Sequence, residues 1–376
     1  MIFFDNAATG AIKPNCVYEG AINVMKYLSI NAGRGSYRLA LYADELIYKT
    51  RKEICSFFNG YSPERVIFTK NCTEALNVAI FGTLKKGGHV IASAYEHNSV
   101  LRPLYNLQDK GLITLTIVKP QNGAVLKEDI LNAITPKTYL VCLTGASNVT
   151  GEINDYEAIG SLLKQKGILF LVDGAQIAGH AFIDLKEQNI DIFCFSGHKG
   201  MDALQGVGCL IFNKELEIKP LTFGGSGSET FSKTPSGYPE LLESGTLNLP
   251  SIISLFHATV YTKKNFTVKQ KLMLELTDYA VKNLKKIKGV KLYSKQNPIG
   301  IVALSYNDYY TPEIAGVLGD KFDIATRGGF HCAPLCHELL NTKQNGLLRL
   351  SFSWFNDKKE IDYFIEKLLK VPLYVY

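Results

Sequence analysis

Two residues with complementary chemistry, Asp173 and Lys199, each follow an apolar run of the sequence. Asp173 ends the run Leu169 to Val172, and Lys199 stands shortly after the run Phe193 to Phe195. A lysine amine can hold an aldehyde as a Schiff base, and a buried carboxylate can keep a ring nitrogen protonated, which makes the ring an electron sink. The pair therefore suits an aldehyde cofactor whose ring nitrogen carries a proton.

Pyridoxal phosphate is the cofactor with this chemistry. Taken alone, an acid at a strand end is more often the cap of a helix, and a lysine after a strand is more often a solvated loop charge. The occurrence of Asp173 and Lys199 together, each after its own apolar run, favours a cofactor site over these two alternatives.

The composition is that of an ordinary globular protein. The 376 residues are 46% hydrophobic and 20% charged, which is enough to bury a large core and to form two domains. The 41 basic and 35 acidic residues are scattered, so the net charge of +6 does not indicate nucleic-acid binding. We find no signal peptide pattern and no apolar stretch long enough for a membrane span, and we expect a cytoplasmic protein.

Short β-branched or aromatic runs alternate with amphipathic stretches between Arg65 and Asn213. This alternation predicts an α/β fold around a mostly parallel seven-stranded sheet, with ligands bound at the carboxyl ends of the strands. The predicted strands are Arg65 to Thr69, His89 to Ser93, Ile113 to Lys119, Thr138 to Thr144, Ile168 to Asp173, Asp191 to Ser196 and Gly206 to Phe212.

A long helical pattern from Ser254 to Ile287 is followed by a different order of elements. The later predictions are strands near Val290 to Tyr293 and Gly300 to Ser305, and helices from Pro312 and from Asp357. We therefore predict a large α/β domain over residues 13–255 and a smaller α+β domain over residues 256–376, joined by the segment 1–12.

Three further polar residues follow predicted strands. Thr73 stands at a predicted helix start, where a threonine can contact a phosphate or simply cap the helix. His97 can stack on a flat ring or be a partly buried loop imidazole, and Asn148 can contact a ligand or form an ordinary turn. Their positions after strands place all three beside Asp173 and Lys199 in the predicted sheet.

Ordered motifs along nearly the whole chain resemble those of the class V aminotransferases, which are pyridoxal phosphate enzymes of fold type I. Within that family the chain is most similar to the cysteine desulfurases and selenocysteine lyases. The matching segments are Phe4-Asp5-Asn6-Ala7-Ala8-Thr9, Asn31-Ala32-Gly33-Arg34-Gly35, Cys72-Thr73-Glu74, Glu96-His97, Ser147-Asn148-Val149-Thr150-Gly151, Asp173-Gly174-Ala175-Gln176, Ser196-Gly197-His198-Lys199, Glu243-Ser244-Gly245-Thr246 and Arg327-Gly328-Gly329-Phe330-His331-Cys332-Ala333-Pro334.

The resemblance implies a role for each matching residue. Lys199 would hold the cofactor and act as a base, and His97 would stack on the ring and contribute to catalysis. Asp173 would pair with the pyridine nitrogen, and Gln176 with the phenolic oxygen. The other residues implied at the cofactor are Thr73, Ser196 and His198 around the phosphate, together with Cys72, Asn148 and Thr246. The residues implied at the substrate are Arg349, which would pair with its carboxylate, and Asn148, Arg327 and Arg34.

The resemblance also implies a homodimer. In this family, the Gly-Thr step after the long loop completes the phosphate site of the neighbouring subunit. Gly245 and Thr246 match that step, so composite active sites are expected.

Cys332 distinguishes between reactions within the family. The resemblance implies that this cysteine attacks the sulfur of L-cysteine and retains it as a persulfide, while L-alanine leaves. The attacking form is the thiolate, which the cations Arg327 and His331 and the protonated cofactor would favour. The alternative is an incidental loop cysteine. Cys336 and His337 have no counterpart in the family pattern; they can form a redox pair or a metal site with Cys332, or be incidental, and we expect no metal.

Two segments depart from the pattern of the housekeeping desulfurases. Residues 200–208 replace a turn that more often contains Gly-Pro, and the opening motif ends in Thr9-Gly10 rather than in two hydroxyl residues. Three functions remain open: a cysteine desulfurase, which passes sulfur to a protein or thiol acceptor; a selenocysteine lyase, cysteine sulfinate desulfinase or other class V aminotransferase; and a non-catalytic protein that binds the cofactor or a partner.

Overall fold

A computed structural model describes residues 1–33, 35–120, 123–227 and 229–375 of the chain. The described part contains two sheets of more than two strands, one of seven strands and one of four, together with a two-stranded pair. No helix in these ranges is long and apolar enough to span a membrane.

The seven-stranded sheet has the order β2-β8-β7-β6-β5-β3-β4. Strand β8 runs antiparallel to both of its neighbours, and the other pairings are parallel, so β8 opposes the remaining strands of the sheet. The strands are β2 (Val66–Thr69), β3 (Gly88–Ser93), β4 (Ile113–Val118), β5 (Thr138–Thr144), β6 (Leu169–Asp173), β7 (Ile192–Ser196) and β8 (Gly208–Phe212). The predicted α/β fold with a mostly parallel seven-stranded sheet is confirmed, and each predicted strand is present with ends shifted by at most one or two residues.

The central strands are apolar on both faces because helices cover both sides of the sheet. Every residue of β3, β7 and β8 is buried. Two separate apolar clusters flank the sheet, one with Phe170 and Phe193, the other with Leu171 and Leu210. Alternate residues of one strand thus enter different clusters, as the side-chain alternation of a strand requires.

The helices of the described chain surround these sheets. They are α1 (Asn15–Tyr27), α2 (Arg38–Phe57), α3 (Cys72–Gly82), α4 (Asn98–Asp109), α5 (Lys127–Ala133), α6 (Tyr156–Lys166), α7 (Leu249–Leu284), α8 (Thr311–Phe322), α9 (Pro334–Leu339) and α10 (Lys358–Leu368). Helix α7 begins before the predicted Ser254, because Asn248 caps it by accepting from the Ser251 amide and a proline occupies its first turn. It runs through the predicted domain boundary at 255/256, and the division into two domains stays a prediction.

The four-stranded antiparallel sheet has the order β12-β13-β10-β9. Its strands are β9 (Val290–Leu292), β10 (Ile301–Tyr306), β12 (Arg327–Gly329) and β13 (Leu347–Ser351). Strand β1 (Ile2–Phe3) pairs in parallel with β11 (Ile324–Ala325), and Phe4 lies in the apolar cluster that supports this sheet. The beginning of the chain is therefore fixed to the region that carries Arg327 and Arg349.

Candidate active site

Five segments with polar side chains follow strands that point in the same direction. Thr69, Ser93, Thr144, Asp173 and Ser196 are the last residues of β2, β3, β5, β6 and β7. Thr144 and Asp173 are register partners in adjacent strands. The loops after these residues consequently meet at one edge of the sheet, as expected for an open α/β fold.

These loops enclose a cleft of about 590 Å³. Nine of the residues predicted at the cofactor or substrate line it: Cys72, Thr73, His97, Asn148, Asp173, Gln176, Ser196, His198 and Lys199. The structure thus brings together residues that are far apart in the sequence, although their individual roles stay predictions. Other lining residues, among them Asn71, Ser99 and Thr144, were not singled out from the sequence.

Asp173 is a buried carboxylate, with 3% of its surface exposed. Its Oδ1 accepts hydrogen bonds from the Ala175 amide at 2.9 Å and from the Cys72 thiol at 3.4 Å. Both donors hold Oδ1 in a defined position. The cleft therefore holds a fixed negative charge of the kind that a protonated ring nitrogen requires.

The Lys199 amine shares this cleft with Asp173. Burial lowers the pKa of Lys199; Asp173 and Cys72 oppose that shift, whereas Arg349 and Arg327 add to it. An amine with a lowered pKa is more often neutral near pH 7 and hence a better nucleophile and base.

The start of helix α3 provides hydrogen-bond donors at one end of the cleft. Asn71 caps this helix through its Oδ1, which accepts from the Glu74 amide at 2.9 Å. Thr73 Oγ1 lies 2.8 Å from Ser99 Oγ, so it does not cap the helix itself. Ser196 is 2% exposed, and its Oγ has no hydrogen-bond partner among the described residues. A buried unpaired hydroxyl is costly, and an anion at this position would accept from it.

His97 is the N-cap of helix α4. Its Nδ1 accepts from the Ser99 amide at 3.1 Å, which leaves the ring proton on Nε2. Burial lowers the pKa of His97; Asp173 opposes this shift, and Lys199 strengthens it. The ring is accordingly a neutral, oriented imidazole on the wall of the cleft.

His198 and Gln176 each bind the segment near the beginning of the chain. His198 Nδ1 lies 2.9 Å from Thr9 Oγ1, and Gln176 Nε2 donates to the Ala7 carbonyl at 3.2 Å. Burial lowers the pKa of His198 to about 4, with Lys199 and Lys13 adding to the shift. His198 is therefore a neutral hydrogen-bonding group at pH 7.

Arg349 lies on β13 and is 1% exposed. Its Nη1 donates to the Asn148 carbonyl at 2.9 Å, and its Nη2 pairs with Asp5 Oδ1 at 2.7 Å. Its buried Nε has no partner among the described residues. Arg327 is its register partner on β12. Asp5 lies in the first matching motif of the chain, but nothing in the sequence indicated that it pairs with Arg349.

Cys332 is exposed and follows β12 on a tight turn. His331 and Cys332 have φ angles of +49° and +58°, a left-handed conformation that non-glycine residues rarely adopt. Two of the hydrogen bonds that hold this turn come from residues beside the cleft: the Asn98 amide donates to the Cys332 carbonyl at 2.8 Å, and Asn148 Nδ2 donates to the His331 carbonyl at 2.7 Å. Asn98 begins α4 directly after the cleft residue His97, and Asn148 itself lines the cleft.

Arg349 is a cation that interacts electrostatically with Cys332. Burial lowers the pKa of Arg349, and Asp5 and Cys332 are among the groups that oppose the shift. His331 does not add a charge, because burial, reinforced by Arg349 and His337, lowers its pKa to about 2. The expectation that His331 acts as a cation beside Cys332 is therefore wrong, because its imidazole is buried and neutral.

Cys336 and His337 are buried in α9. Burial raises the pKa of Cys336 to about 12, so its thiol is protonated at pH 7. His337 Nδ1 lies 2.8 Å from Thr342 Oγ1. Within the described ranges, no group of three or more histidine, cysteine or acidic side chains is arranged to hold a metal ion.

Four of the described residues that were predicted at the site do not line the cleft: Cys332, Arg327, Arg349 and Thr246. Thr246 is exposed and lines a different depression, beside Lys70 and Glu74. It follows Glu243, whose buried carboxylate pairs with Arg51 at 2.5 Å and fixes this segment to α2. Arg34 lies outside the described residues.

Comparisons with known proteins agree with this arrangement. The family model described as Aminotransferase class-V matches residues 2–364. A probable cysteine desulfurase of Borreliella burgdorferi is 32% identical, over 99% of this chain and 92% of that protein. A cysteine desulfurase of Wigglesworthia glossinidia brevipalpis is 30% identical, over 100% of this chain and 93% of that protein.

The solved structures show the same fold. The apo structure of a cysteine desulfurase from Thermococcus onnurineus has a TM-score of 0.91 at 28% identity, covering 98% of this chain and 94% of the other. A cysteine desulfurase from Escherichia coli, at 23% identity and a TM-score of 0.89 over 100% and 95% of the two chains, supports the fold alone. The predicted fold type I is thus confirmed, and the chain belongs to the class V aminotransferase and cysteine desulfurase family.

Proposed function

We propose that this protein is a pyridoxal phosphate-dependent cysteine desulfurase that converts L-cysteine to L-alanine and holds the released sulfur on Cys332 as a persulfide. The observation that carries the proposal is the position of Cys332. It is exposed, yet its turn is hydrogen-bonded to Asn98 and Asn148 at the wall of the cleft that contains Lys199. The names of the relatives support the same reaction.

The cleft fits pyridoxal phosphate. The unpaired Ser196 hydroxyl, Thr73 and the start of α3 suit a phosphate, and Asp173 suits a protonated pyridine nitrogen. The neutral His97 imidazole provides a flat surface for a ring, and Lys199 provides the amine. When bound, this cofactor supplies an electron sink for the negative charge that develops at the α-carbon of the substrate.

Arg349 is the group that would bind the substrate carboxylate. Its buried Nε–H has no partner, and the ion pair with Asp5 holds the guanidinium in place. Hydrogen bonds between a guanidinium and a carboxylate fix the orientation of a ligand as well as its affinity. Arg327 on the adjacent strand would add positive charge, and Arg34 stays a predicted contributor.

Lys199 would then move the proton at the α-carbon, since its lowered pKa suits a general base near neutral pH. The Cys332 thiolate attacks the sulfur of the substrate. A new S–S bond forms while the Cβ–S bond breaks, and the electron pair of that bond stays with the carbon fragment, which takes up protons and leaves as alanine. The sum is L-cysteine plus the Cys332 thiol giving L-alanine plus the Cys332 persulfide.

We also propose a homodimer with composite sites. Thr246 is exposed and outside the cleft of its own chain, where it is available to a second copy. Helix α1 exposes Tyr18, Ile22 and Met25 at helical spacing, each between 39% and 54% exposed. An apolar helix face of this kind supports burial against another subunit.

We further propose that the protein is cytoplasmic and that a protein or thiol acceptor takes the sulfur from the persulfide.

The test is anaerobic incubation of the purified yellow protein with L-cysteine and a reductant, with sulfide and alanine both quantified. We expect equimolar products from the wild type. Cys332→Ser should lose them and keep its visible absorbance. Cys336→Ser is the matched control: a cysteine four residues away, buried and protonated, whose loss should leave sulfide release intact.

An unchanged sulfide rate in Cys332→Ser would contradict the persulfide step. A selenide, sulfinate-derived or amino-transfer rate far above the L-cysteine rate would instead favour a selenocysteine lyase, a cysteine sulfinate desulfinase or another class V aminotransferase. Absence of visible absorbance in the purified, cofactor-supplemented wild type would contradict the proposed cofactor and leave a non-catalytic binding protein.

A further inference from the structure

The turn after Lys199 departs from the family pattern and contains a buried ion pair. Asp202 has a left-handed φ of +57°, and its Oδ2 pairs with the Lys269 ammonium at 2.8 Å. The Lys269 and Asp202 side chains are 2% and 5% exposed. Two charges are buried together only where the geometry compensates for their lost hydration.

Lys269 also contacts the peptide that follows Lys199. Its Nζ donates to the Gly200 carbonyl at 2.5 Å and lies 5.1 Å from the centre of the Trp354 ring. Lys269 belongs to α7, the helix that runs from the Thr246 segment towards the four-stranded sheet. One ammonium therefore connects this helix to the backbone on the C-terminal side of the cofactor lysine.

The second departure from the family pattern meets the first at this position. Gly10 donates its amide hydrogen to the His198 carbonyl at 2.8 Å. A Cβ atom on Gly10 would lie 3.0 Å from Asp202 Oδ1, and 3.5 Å from the Lys199 carbonyl oxygen. A hydroxyl residue at position 10 would crowd the Asp202 carboxylate. Glycine at position 10, which has no side chain, therefore leaves room for the Asp202 carboxylate.

We propose that Asp202 and Lys269 are positioning residues for Lys199, and that Gly10 is the residue that leaves room for them. The ion pair fixes the Gly200 peptide and so fixes the backbone from which the Lys199 side chain extends. In this chain a buried ionic contact with α7 takes the place of the Gly-Pro turn common in relatives. The inference rests on the proposed role of Lys199.

The surroundings of the pair explain why a neutral substitute is not equivalent. Lys13 is buried close to Asp202 and donates to the Gly10 carbonyl at 2.7 Å, and the half-buried His180 interacts electrostatically with Lys269. Burial lowers the pKa of His180, with Lys269 adding to the shift, so the imidazole is neutral. Asp202 is thus the acid between two buried lysines, and loss of Lys269 removes the donor that binds both the Asp202 carboxylate and the Gly200 carbonyl.

The experiment compares full-length holoenzymes carrying Lys269→Met and Lys269→Arg. We expect Lys269→Met to lower the kcat of alanine formation by about tenfold with little change in KM, because a small displacement of a catalytic group has a large effect on rate. We also expect the pH midpoint of the visible absorbance to shift by about half a unit, since the Lys199 amine changes its environment. Lys269→Arg, which keeps the charge, should recover most of both quantities.

Lys282→Met is the matched control, since it removes a lysine of the same helix whose ion pair with Asp278 is on the surface. Trp354 is the only tryptophan of the chain, so its fluorescence reports the Lys269 environment without any activity measurement. The emission should change in Lys269→Met and not in Lys282→Met. If Lys269→Met does not fold, the double variant Lys269→Met with Asp202→Asn, which removes both charges, takes its place with the same expected changes.

A variant that unfolds more easily but keeps the wild-type kcat and absorbance midpoint would overturn the proposal and leave a purely structural ion pair.

Gly10→Thr gives a second test: it should shift the absorbance midpoint in the wild-type background and have a smaller effect when combined with Asp202→Gly. Equal effects in both backgrounds would contradict the contact. Borohydride reduction and peptide mapping of the wild type test the attachment of the cofactor to Lys199 separately, so failure of the proposed function is distinguishable.

Discussion

The cleft and the Cys332 turn are neighbours, but they are built in opposite ways. The cleft is formed by strand ends, and Asp173 and Ser196 are almost completely buried. The turn is exposed, and two consecutive residues, His331 and Cys332, hold left-handed backbone conformations that cost about 1 to 2 kcal/mol each. Regular structure fixes the first region, and a few hydrogen bonds, among them those from Asn98 and Asn148, fix the second.

The difference follows from what each region has to do in the proposed reaction. A cofactor that stays bound through every turnover is best served by groups that do not move, which strand ends provide. The sulfur carrier must reach the substrate and afterwards present its sulfur to an acceptor, which requires exposure. Strain held by a few contacts gives Cys332 a defined position without burying it.

The largest expected effect changes the cleft and leaves the Cys332 turn unchanged. Lys199→Ala removes the amine from the cleft, so visible absorbance should disappear and alanine formation should fall by about a thousandfold. The exposed lysine variant Lys86→Ala should retain both. The alkylation rate of Cys332 should not change in Lys199→Ala, because the turn is not held by Lys199; a clear change would show that the two regions are not independent.

An intermediate effect is expected where the two regions touch. Asn148→Ala removes the Nδ2 bond to the His331 carbonyl but keeps the backbone carbonyl that Arg349 uses. Loss of one buried hydrogen bond, about 1 kcal/mol, should slow persulfide formation by about fivefold and speed amide hydrogen exchange around Cys332.

Asn297→Ala is the control for the Asn148 variant. Asn297 is also buried, but it bonds to Ile301 in the four-stranded sheet, away from the turn. It should lower the stability of the protein without changing exchange at residues 331–333. Equal exchange rates in Asn148→Ala and the wild type would mean that the bond from Asn148 does not hold the turn.

An effect on stability rather than on rate concerns Glu96, a buried acid next to His97. Burial raises the pKa of Glu96 to about 8, although hydrogen bonds from Ser93 and the Thr144 amide oppose the shift. The folded protein therefore binds a proton that the unfolded chain releases above about pH 4.5. The stabilisation that the bound proton provides is complete below about pH 4.5 and is lost as the pH rises towards 8.

The measurement is urea unfolding of the wild type and Glu96→Gln between pH 5 and 8. The free energy of unfolding of the wild type should fall relative to that of the variant by up to about 1.4 kcal/mol per pH unit in this window. Parallel pH profiles would mean that Glu96 titrates in the folded protein as it does in the unfolded chain.

The strand-end residues were predictable because the sheet dictates their positions. Apolar runs with clear ends located β6 and β7, and a parallel sheet brings the residues after such ends together. The rule that ligands bind after strand ends could also have found Thr144, which ends β5, and Ser99, which follows His97 by two positions. The reversed direction of β8 was not predictable, because side-chain alternation does not depend on strand direction.

Contacts between distant segments could not be read from the sequence. The Asp5 to Arg349 pair joins residues 344 positions apart, and Lys269 reaches Asp202 from a helix predicted only as an amphipathic pattern. The buried state of His331 also depends on β13, whose Leu347 carbonyl its Nε2 contacts at 3.0 Å. Periodicity describes one element at a time, whereas these contacts depend on how elements pack.

The pairing of β1 with β11 has a consequence for the order in which the molecule is made. Asp5 contacts Arg349 and Thr9 contacts His198, and the former contact joins residues 344 positions apart. During synthesis, the sheet and the loops that carry Lys199 emerge long before β13 does. A nascent chain can thus fold its central sheet before Arg349, the arginine proposed to bind the substrate, has been translated. We therefore expect the proposed cofactor site to form earlier than the proposed substrate site.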